Sequence, residues 1–151
     1  MIAVIQRVSS ASVSVDGKLI SKIGHGLTIL LGVSKEDTDV DAVVLSEKIA
    51  KLRIFSDEND KLNLSVVDVD GEVLIIPNFT LLAAYQKGNR PDYFGAALPC
   101  EAQRLYELFS TNIAKSVKNV QKGMFGEHMI CSIVNDGPIT ISMDSNLLKK
   151  N

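Results

Sequence analysis

The stretch Ser10-Ala11-Ser12-Val13-Ser14-Val15 alternates polar and apolar residues without a break. A period of two is the signature of a strand with one face in water and one in a core. Asp16-Gly17 follows, a pair suited to a two-residue hairpin turn, and Leu19 to Ile23 returns as the partner strand. A lone hairpin is marginal in water, so its apolar face requires a further layer. The flanking sequence supplies it. Ile2 to Val8 reads as a buried strand. Beyond the Gly24-His25-Gly26 turn, Leu27-Thr28-Ile29-Leu30-Leu31-Gly32-Val33 is apolar enough to be buried on both faces. The first quarter of the chain is an antiparallel meander.

Helical spacing begins next. Asp37 and Thr38 are good caps, and Ala42, Leu45, Ile49 and Leu52 recur at intervals of three and four, predicting a helix over residues 38–52. Ser56 to Asp60 is a polar, solvated loop. Val73 to Ile76 is a central strand ended by Pro77. A loop rich in Gly, Asn and Pro runs from Gln86 to Phe94. Pro99 suits a first helical turn, and Ala102, Leu105, Tyr106, Phe109 and Ile113 mark a second helix. Met129 to Val134 and Ile139 to Met143 read as a hairpin around Asn135-Asp136-Gly137-Pro138, with a frayed tail after Asp144. The expectation is one α+β domain over residues 1–151: a mostly antiparallel sheet curled toward a barrel, with two helices outside.

A formal net charge of -2 argues against broad wrapping of a nucleic-acid backbone, though not against gripping the end of one. Cys100 and Cys131 are too few for a disulfide framework and read as buried thiols in a reducing cytosol. The amino-terminal residues lack the features of a signal peptide, and no apolar run approaches the ~20 residues of a membrane span. A cytoplasmic protein without membrane contact is expected. His25 and His128 form no metal motif, and no phosphate-binding loop or G-x-S-x-G elbow occurs. Neither a metal nor a cofactor is expected.

Two loops at the ends of apolar strands could carry chemistry. In Pro77-Asn78-Phe79-Thr80-Leu81, proline should end the strand's ladder, leaving the following N–H groups free to hold an oxyanion. Thr80 is a nucleophile by residue type, but no base accompanies it, and a threonine capping a strand end is the plainer reading. In Asn135-Asp136-Gly137-Pro138, ordinary turn chemistry competes with a cis Gly-Pro bond, which would aim two carbonyl oxygens the same way as acceptors for an ammonium group. Between them, the Lys87-Gly88-Asn89-Arg90-Pro91 loop reads either as solubilising or as a phosphate contact.

Taken in order, these segments resemble the D-aminoacyl-tRNA deacylase family over nearly the whole chain, from Met1 to about Met143. The likeness is carried by Ala3 to Val8, Leu30 to Val33, Leu52 to Phe55, Asn78 to Leu81, Lys87 to Pro91, Met124 to Gly126, and Asn135 to Thr140. The resemblance implies a homodimer with active sites at the subunit interface and aminoacyl-tRNA, gripped at its 3′ end, as substrate. It implies that 77–81 forms the floor of the site and that a cis Gly137-Pro138 reaches in from the partner to hold the substrate's α-ammonium. L side chains would then be driven into backbone, while D-amino acids, and glycine misattached to alanine tRNA, would pass. The 2′-hydroxyl of the terminal adenosine would help activate water. Backbone N–H groups at Phe79 and Thr80 would stabilise the oxyanion, with Asn78 in the same catalytic loop. Phe125 would pack near the adenosine, Arg7 would hold the Gly-Pro loop, and Lys87 and Arg90 would touch tRNA.

One motif departs from the family. The usual Ser-Gln-Phe-Thr-Leu is here Pro77-Asn78-Phe79-Thr80-Leu81, losing a hydroxyl, an N–H and one methylene. Pro77 is shared with a sister group, the animal-type deacylases acting on L-alanyl-tRNA, whereas Phe79 and Arg7 are not. That sister activity and a non-catalytic nucleic-acid-binding module are the competing readings.

Overall fold

The computed structural model describes residues 1–149. Its first strand, β1 (Ile2–Val15), is one continuous element. Its buried positions are Ala3 and Ile5, then Val8, then Ala11, Val13 and Val15, so the parity of burial changes twice along it. Against the last strand, residues pair in register except around Val8, where irregularities fall on both sides. A bulge re-aims the side chains of a strand, so one strand can serve two cores. Met1, Ala3 and Ile5 enter one apolar cluster, while Val8, Ala11 and Val13 enter a second.

The Asp16-Gly17 turn leads into β2 (Lys18–Ile23), antiparallel to the second half of β1. Both turn residues have positive φ, 49° and 75°, as a primed hairpin turn requires. β3 (Gly26–Gly32) pairs antiparallel with the first half of β1 and is buried on both faces, as its sequence implied. Leu27, Ile29 and Leu31 join the first cluster, and Leu30 packs against the second.

From here the chain departs from the antiparallel plan. After α1 (Asp39–Ala50) and a two-stranded side ribbon, β4 (Phe55–Ser56) with β5 (Leu62–Leu64), strand β6 (Glu72–Pro77) lies parallel to β3. After α2 (Pro99–Ile113), strand β7 (Val120–Lys122) lies parallel to β6. Each parallel pair is joined by a helical crossover, which is why the helices share one face of the sheet. Ala42, Leu45 and Ile49 of α1 and Leu105, Tyr106, Phe109 and Ile113 of α2 are buried there. Asn112 Nδ2 donates to Ser46 Oγ at 2.8 Å, joining the two helices. On the opposite face, β2 and the curled half of β1 cover Leu74 and Ile76 and approach β6 and β7, nearly closing a barrel.

β8 (Ile130–Asp144) corrects the expected carboxy-terminal hairpin. Residues 130–134 and 140–144 do not pair with each other. Both run antiparallel along β1, and residues 136–139 bulge out between Asn135↔Val8 and Thr140↔Gln6. Asn135-Asp136-Gly137-Pro138 has local turn chemistry, but pairing with β1 on both sides, from Ile2 to Ser14, keeps the chain straight.

The tail is also ordered beyond Asp144. Residues Ser145–Leu147 form a 3-10 turn, and Ser145 is fully buried. The Met1 α-ammonium donates to Ser145 Oγ and Asp37 Oδ1, each at 2.5 Å. Ser145 Oγ in turn donates to Asp41 Oδ1 at 2.6 Å, and Lys149 Nζ lies 2.5 Å from the same oxygen. Burial pushes the Asp41 carboxyl up, but Lys149, Ser145 and the Thr38 N–H and hydroxyl outweigh it and hold the group well below the usual carboxylate range. The cysteines are another correction: both are exposed, because Cys100 begins α2 and Cys131 lies on β8, none of whose residues is fully buried.

Candidate active site

A cleft of about 810 Å³ opens beyond the carboxyl ends of the three parallel strands. Its walls come from Leu30, Leu31 and Val33 at the end of β3, from Ile76 to Phe79 at the end of β6, and from Phe125 to Met129 after β7. The ends of parallel strands are where side chains from successive crossovers converge, which is why such edges hold ligands. The fourth wall is the segment Tyr93 to Pro99. It is stitched to the end of β3 by Lys35 N–H to the Gly95 carbonyl (3.0 Å) and Ala97 N–H to the Val33 carbonyl (2.9 Å).

The floor departs from the sequence expectation in two respects. Pro77 does not end the ladder with β3, since Asn78 N–H donates to the Leu31 carbonyl at 2.8 Å. Alternate residues of a strand point their N–H groups to opposite neighbours. Residue 75 faces β7, accepting from Gly123 N–H at 2.8 Å, so residue 77 faces the same side, past the end of β7. The missing proline N–H therefore falls where no strand remains to receive it.

Residues Phe79–Leu82 then form a 3-10 turn. Its Thr80 N–H is not free, contrary to expectation. It donates to Asn78 Oδ1 at 3.3 Å, and the Thr80 hydroxyl donates to the same oxygen. Leu81 N–H reaches the Asn78 carbonyl at 3.4 Å. The Phe79 N–H has no partner among the described residues. The turn sits against β3 because residue 32 is glycine: a Cβ there would lie 2.6 Å from Leu82 Cδ2 and 3.0 Å from the Asn78 carbonyl oxygen.

The walls are aromatic. The Phe79 ring meets Tyr93 edge to face with centroids 5.1 Å apart, and Phe125 tilts against Tyr106 at 6.0 Å. Tyr106 is buried and donates its hydroxyl to the Ile75 carbonyl at 2.8 Å. Burial pushes its phenol pKa far above the usual value, so it stays protonated as that donor. Cys131 also lines the cleft, with its thiol pushed up by partial burial. The rim is unusually apolar for a surface: Phe79 is 59 % exposed, Phe94 85 % and Leu98 79 %.

The fold thus brings Pro77, Asn78, Phe79 and Phe125 to one cleft, with Thr80 beside them. Arg7, Gly137 and Pro138 do not line it; they form a second assembly. Arg7 Nε donates to the Asp136 carbonyl at 3.0 Å, and Nη1 donates to the Ile54 carbonyl at 3.0 Å. Asn135 braces the same bulge, its Oδ1 accepting from Ile139 N–H at 2.9 Å and its Nδ2 donating to Thr140 Oγ1 at 2.9 Å. The Gly137–Pro138 peptide is cis, and Gly137 has φ of 138°, a backbone region open to glycine. Lys87 and Arg90 stand exposed on a loop closed by the Ala84–Asp92 bridge. Sequence reasoning missed Tyr93, Phe94 and Leu98, although two adjacent aromatics in a loop rich in Gly and Pro were a visible signal.

The chain thus combines an apolar cleft at its parallel strand ends with a braced Gly-Pro bulge outside it. The model of the family D-Tyr-tRNA(Tyr) deacylase matches residues 4–144. A D-aminoacyl-tRNA deacylase of Clostridium botulinum is 52 % identical over 145 residues, covering 96 % of this chain and 97 % of that one. One of Bacillus cytotoxicus is 49 % identical, covering 96 % and 99 %. The solved structure of a c-Myc DNA unwinding element binding protein superimposes with a TM-score of 0.90 at 41 % identity, covering 95 % of this chain and 98 % of that one. A probable eukaryotic D-amino acid tRNA deacylase shares the fold, with a TM-score of 0.80 at 15 % identity over 94 % and 97 %. The chain belongs to the D-aminoacyl-tRNA deacylase family of hydrolases. Among the described residues, no helix is long and apolar enough to cross a membrane.

Proposed function

We propose that the protein hydrolyses the ester linking a D-amino acid to tRNA, removes glycine misattached to alanine tRNA, and rejects L-aminoacyl-tRNA. It acts as a homodimer of single-domain subunits in the cytoplasm, where its substrates are made. The observation that carries the reading is the division of parts within one subunit. The cleft holds Asn78, Phe79 and Phe125, while the Gly137-Pro138 bulge is braced by Arg7 outside it. A second copy can bring one to the other.

Two surfaces support that second copy. β8 pairs with β1 on one side only, leaving a long strand edge on which Ile130 and Val134 are exposed. Open edges and exposed apolar rims are surfaces that proteins normally cover.

In this arrangement the carbonyl oxygens of Gly137 and Pro138 of the partner subunit accept the substrate's α-ammonium. With that group fixed, a D side chain points out of the cleft and an L side chain meets backbone, so chirality is sorted by steric exclusion. The Phe79 N–H, unpartnered among the described residues, lies where the ester's carbonyl oxygen gains charge and stabilises the tetrahedral oxyanion. The 2′-hydroxyl of the terminal adenosine orients the attacking water. Phe125, backed by Tyr106, forms the apolar wall for the adenine, and Lys87 and Arg90 contact phosphates. The subunit's contribution is position and a fixed dipole.

The test is chirality-resolved. D-tyrosyl-tRNA and glycyl-tRNA charged on alanine tRNA should be hydrolysed, and L-tyrosyl-tRNA should survive. Equal release from both enantiomers, or from neither, overturns the reading. The likeness to a protein named for binding a DNA unwinding element favours a second reading, nucleic-acid binding without cleavage. Tight binding of duplex DNA by a protein that leaves every ester intact would select it.

A further inference from the structure

We propose that Asn78 is a positioning residue of the deacylation site and acts through Thr80. A single atom, Asn78 Oδ1, accepts both the Thr80 N–H, at 3.3 Å, and the Thr80 hydroxyl. It must be the carboxamide oxygen, because a backbone N–H can only donate. The Thr80 hydroxyl has one proton, and that proton is committed to a neutral amide oxygen, which is too weak a base to remove it. Thr80 is therefore not activated as a nucleophile. Its N–H is equally committed, so the oxyanion donor left on the turn is the Phe79 N–H.

The clamp also orders the cleft floor. The other bonds within the turn are backbone ones, Leu81 N–H to the Asn78 carbonyl at 3.4 Å and Ala83 N–H to the Thr80 carbonyl at 3.1 Å, and none of residues 79–82 is fully buried. The short carboxamide of asparagine suits this role, since Asn and Asp reach the backbone two residues on, whereas a longer side chain does not. Asn78 fixes Thr80, and Thr80 fixes the plane of the Phe79 peptide. This deepens the proposed deacylase function and rests on it.

Deacylation of D-tyrosyl-tRNA by the full-length protein, with kcat and KM resolved, tests the assignment. Loss of the cap in Asn78→Ala should lower kcat about tenfold with KM unchanged, the scale of a sub-ångström misplacement of a reacting group. Asn78→Ser, which restores a neutral capping oxygen, should recover most of that loss. Thr80→Ala should lose less than Asn78→Ala, and the double variant should be no slower than Asn78→Ala alone, because both act through one clamp. Exchange of the Thr80 amide hydrogen, read by NMR, should speed up in Asn78→Ala and slow again in Asn78→Ser.

Wild-type kcat in Asn78→Ala, additive losses in the double variant, or abolition of activity by Thr80→Ala alone overturns the assignment. A wild-type protein that cleaves no D-aminoacyl ester removes both the function and the positioning role. Unchanged Thr80 exchange in Asn78→Ala, with wild-type activity intact, removes the clamp alone.

Discussion

Gly32→Ala is the perturbation whose effect follows most directly from the coordinates. The added Cβ would lie 2.6 Å from Leu82 Cδ2, 3.0 Å from the Asn78 carbonyl oxygen and 3.1 Å from Leu81 Cβ. Carbon atoms rest about 3.5–4.0 Å apart, so the Leu82 methyl must retreat by roughly 1 Å. Its side chain can rotate, but the Asn78 carbonyl belongs to the backbone and moves only with the 78–82 turn. Overpacking of this kind costs about 1–3 kcal/mol. The position lies at the end of β3 rather than mid-core, so the low half of that range is expected in urea denaturation. The larger effect should be kinetic. Displacing the Phe79 peptide by several tenths of an ångström should lower kcat for D-tyrosyl-tRNA by about ten- to a hundredfold, with KM little changed. A Gly32→Ala protein with wild-type kcat would refute the claim that this close approach sets the cleft floor.

Arg7→Lys should lower kcat/KM, because one ammonium cannot serve the Asp136 and Ile54 carbonyls in the fixed fork of a guanidinium; steady-state deacylation checks this. Lys87→Ala and Arg90→Ala should each weaken tRNA binding and reduce the slope of log affinity against log salt by about 0.7–0.9, measured by filter binding. Because the Asp41 carboxyl is held below its unfolded value, its contribution to stability is present above the ordinary carboxylate range and is lost as pH falls through and below about 3.9. Asp41→Asn should flatten that acid limb in urea titrations run at several pH values. Tyr106→Phe should cost about 1 kcal/mol by removing one of the two hydrogen bonds to the buried Ile75 carbonyl, which keeps the Gly123 N–H, read from the denaturation midpoint.

Local patterns carried much of the fold. The alternation at Ser10–Val15, the Asp16-Gly17 pair and the two apolar helix stripes were read correctly because each is decided within a dozen residues. What escaped depends on partners far along the chain. The helix between Leu27 and Ile76 was read but its consequence was not: strands joined through a helix can pair in parallel, as β3 and β6 do across α1. Asn135 to Pro138 has the composition of a turn, yet β1 holds the strand straight on either side. The tail looked loose because only the fold brings Met1 and Asp41 to Ser145. Within the cleft, Pro77, Asn78, Phe79 and Phe125 were legible from their motifs. The commitment of Thr80 to Asn78 was not, since it depends on the course of the turn.

The orientation of Pro77 has one more consequence. An imino acid on a strand flanked by two others should wreck the pairing, yet here its absent hydrogen falls past the last paired residue of β7. Exchanging it for serine should leave the melting temperature almost untouched. A change of side chain there alters the cleft lining without disturbing the strand that carries it.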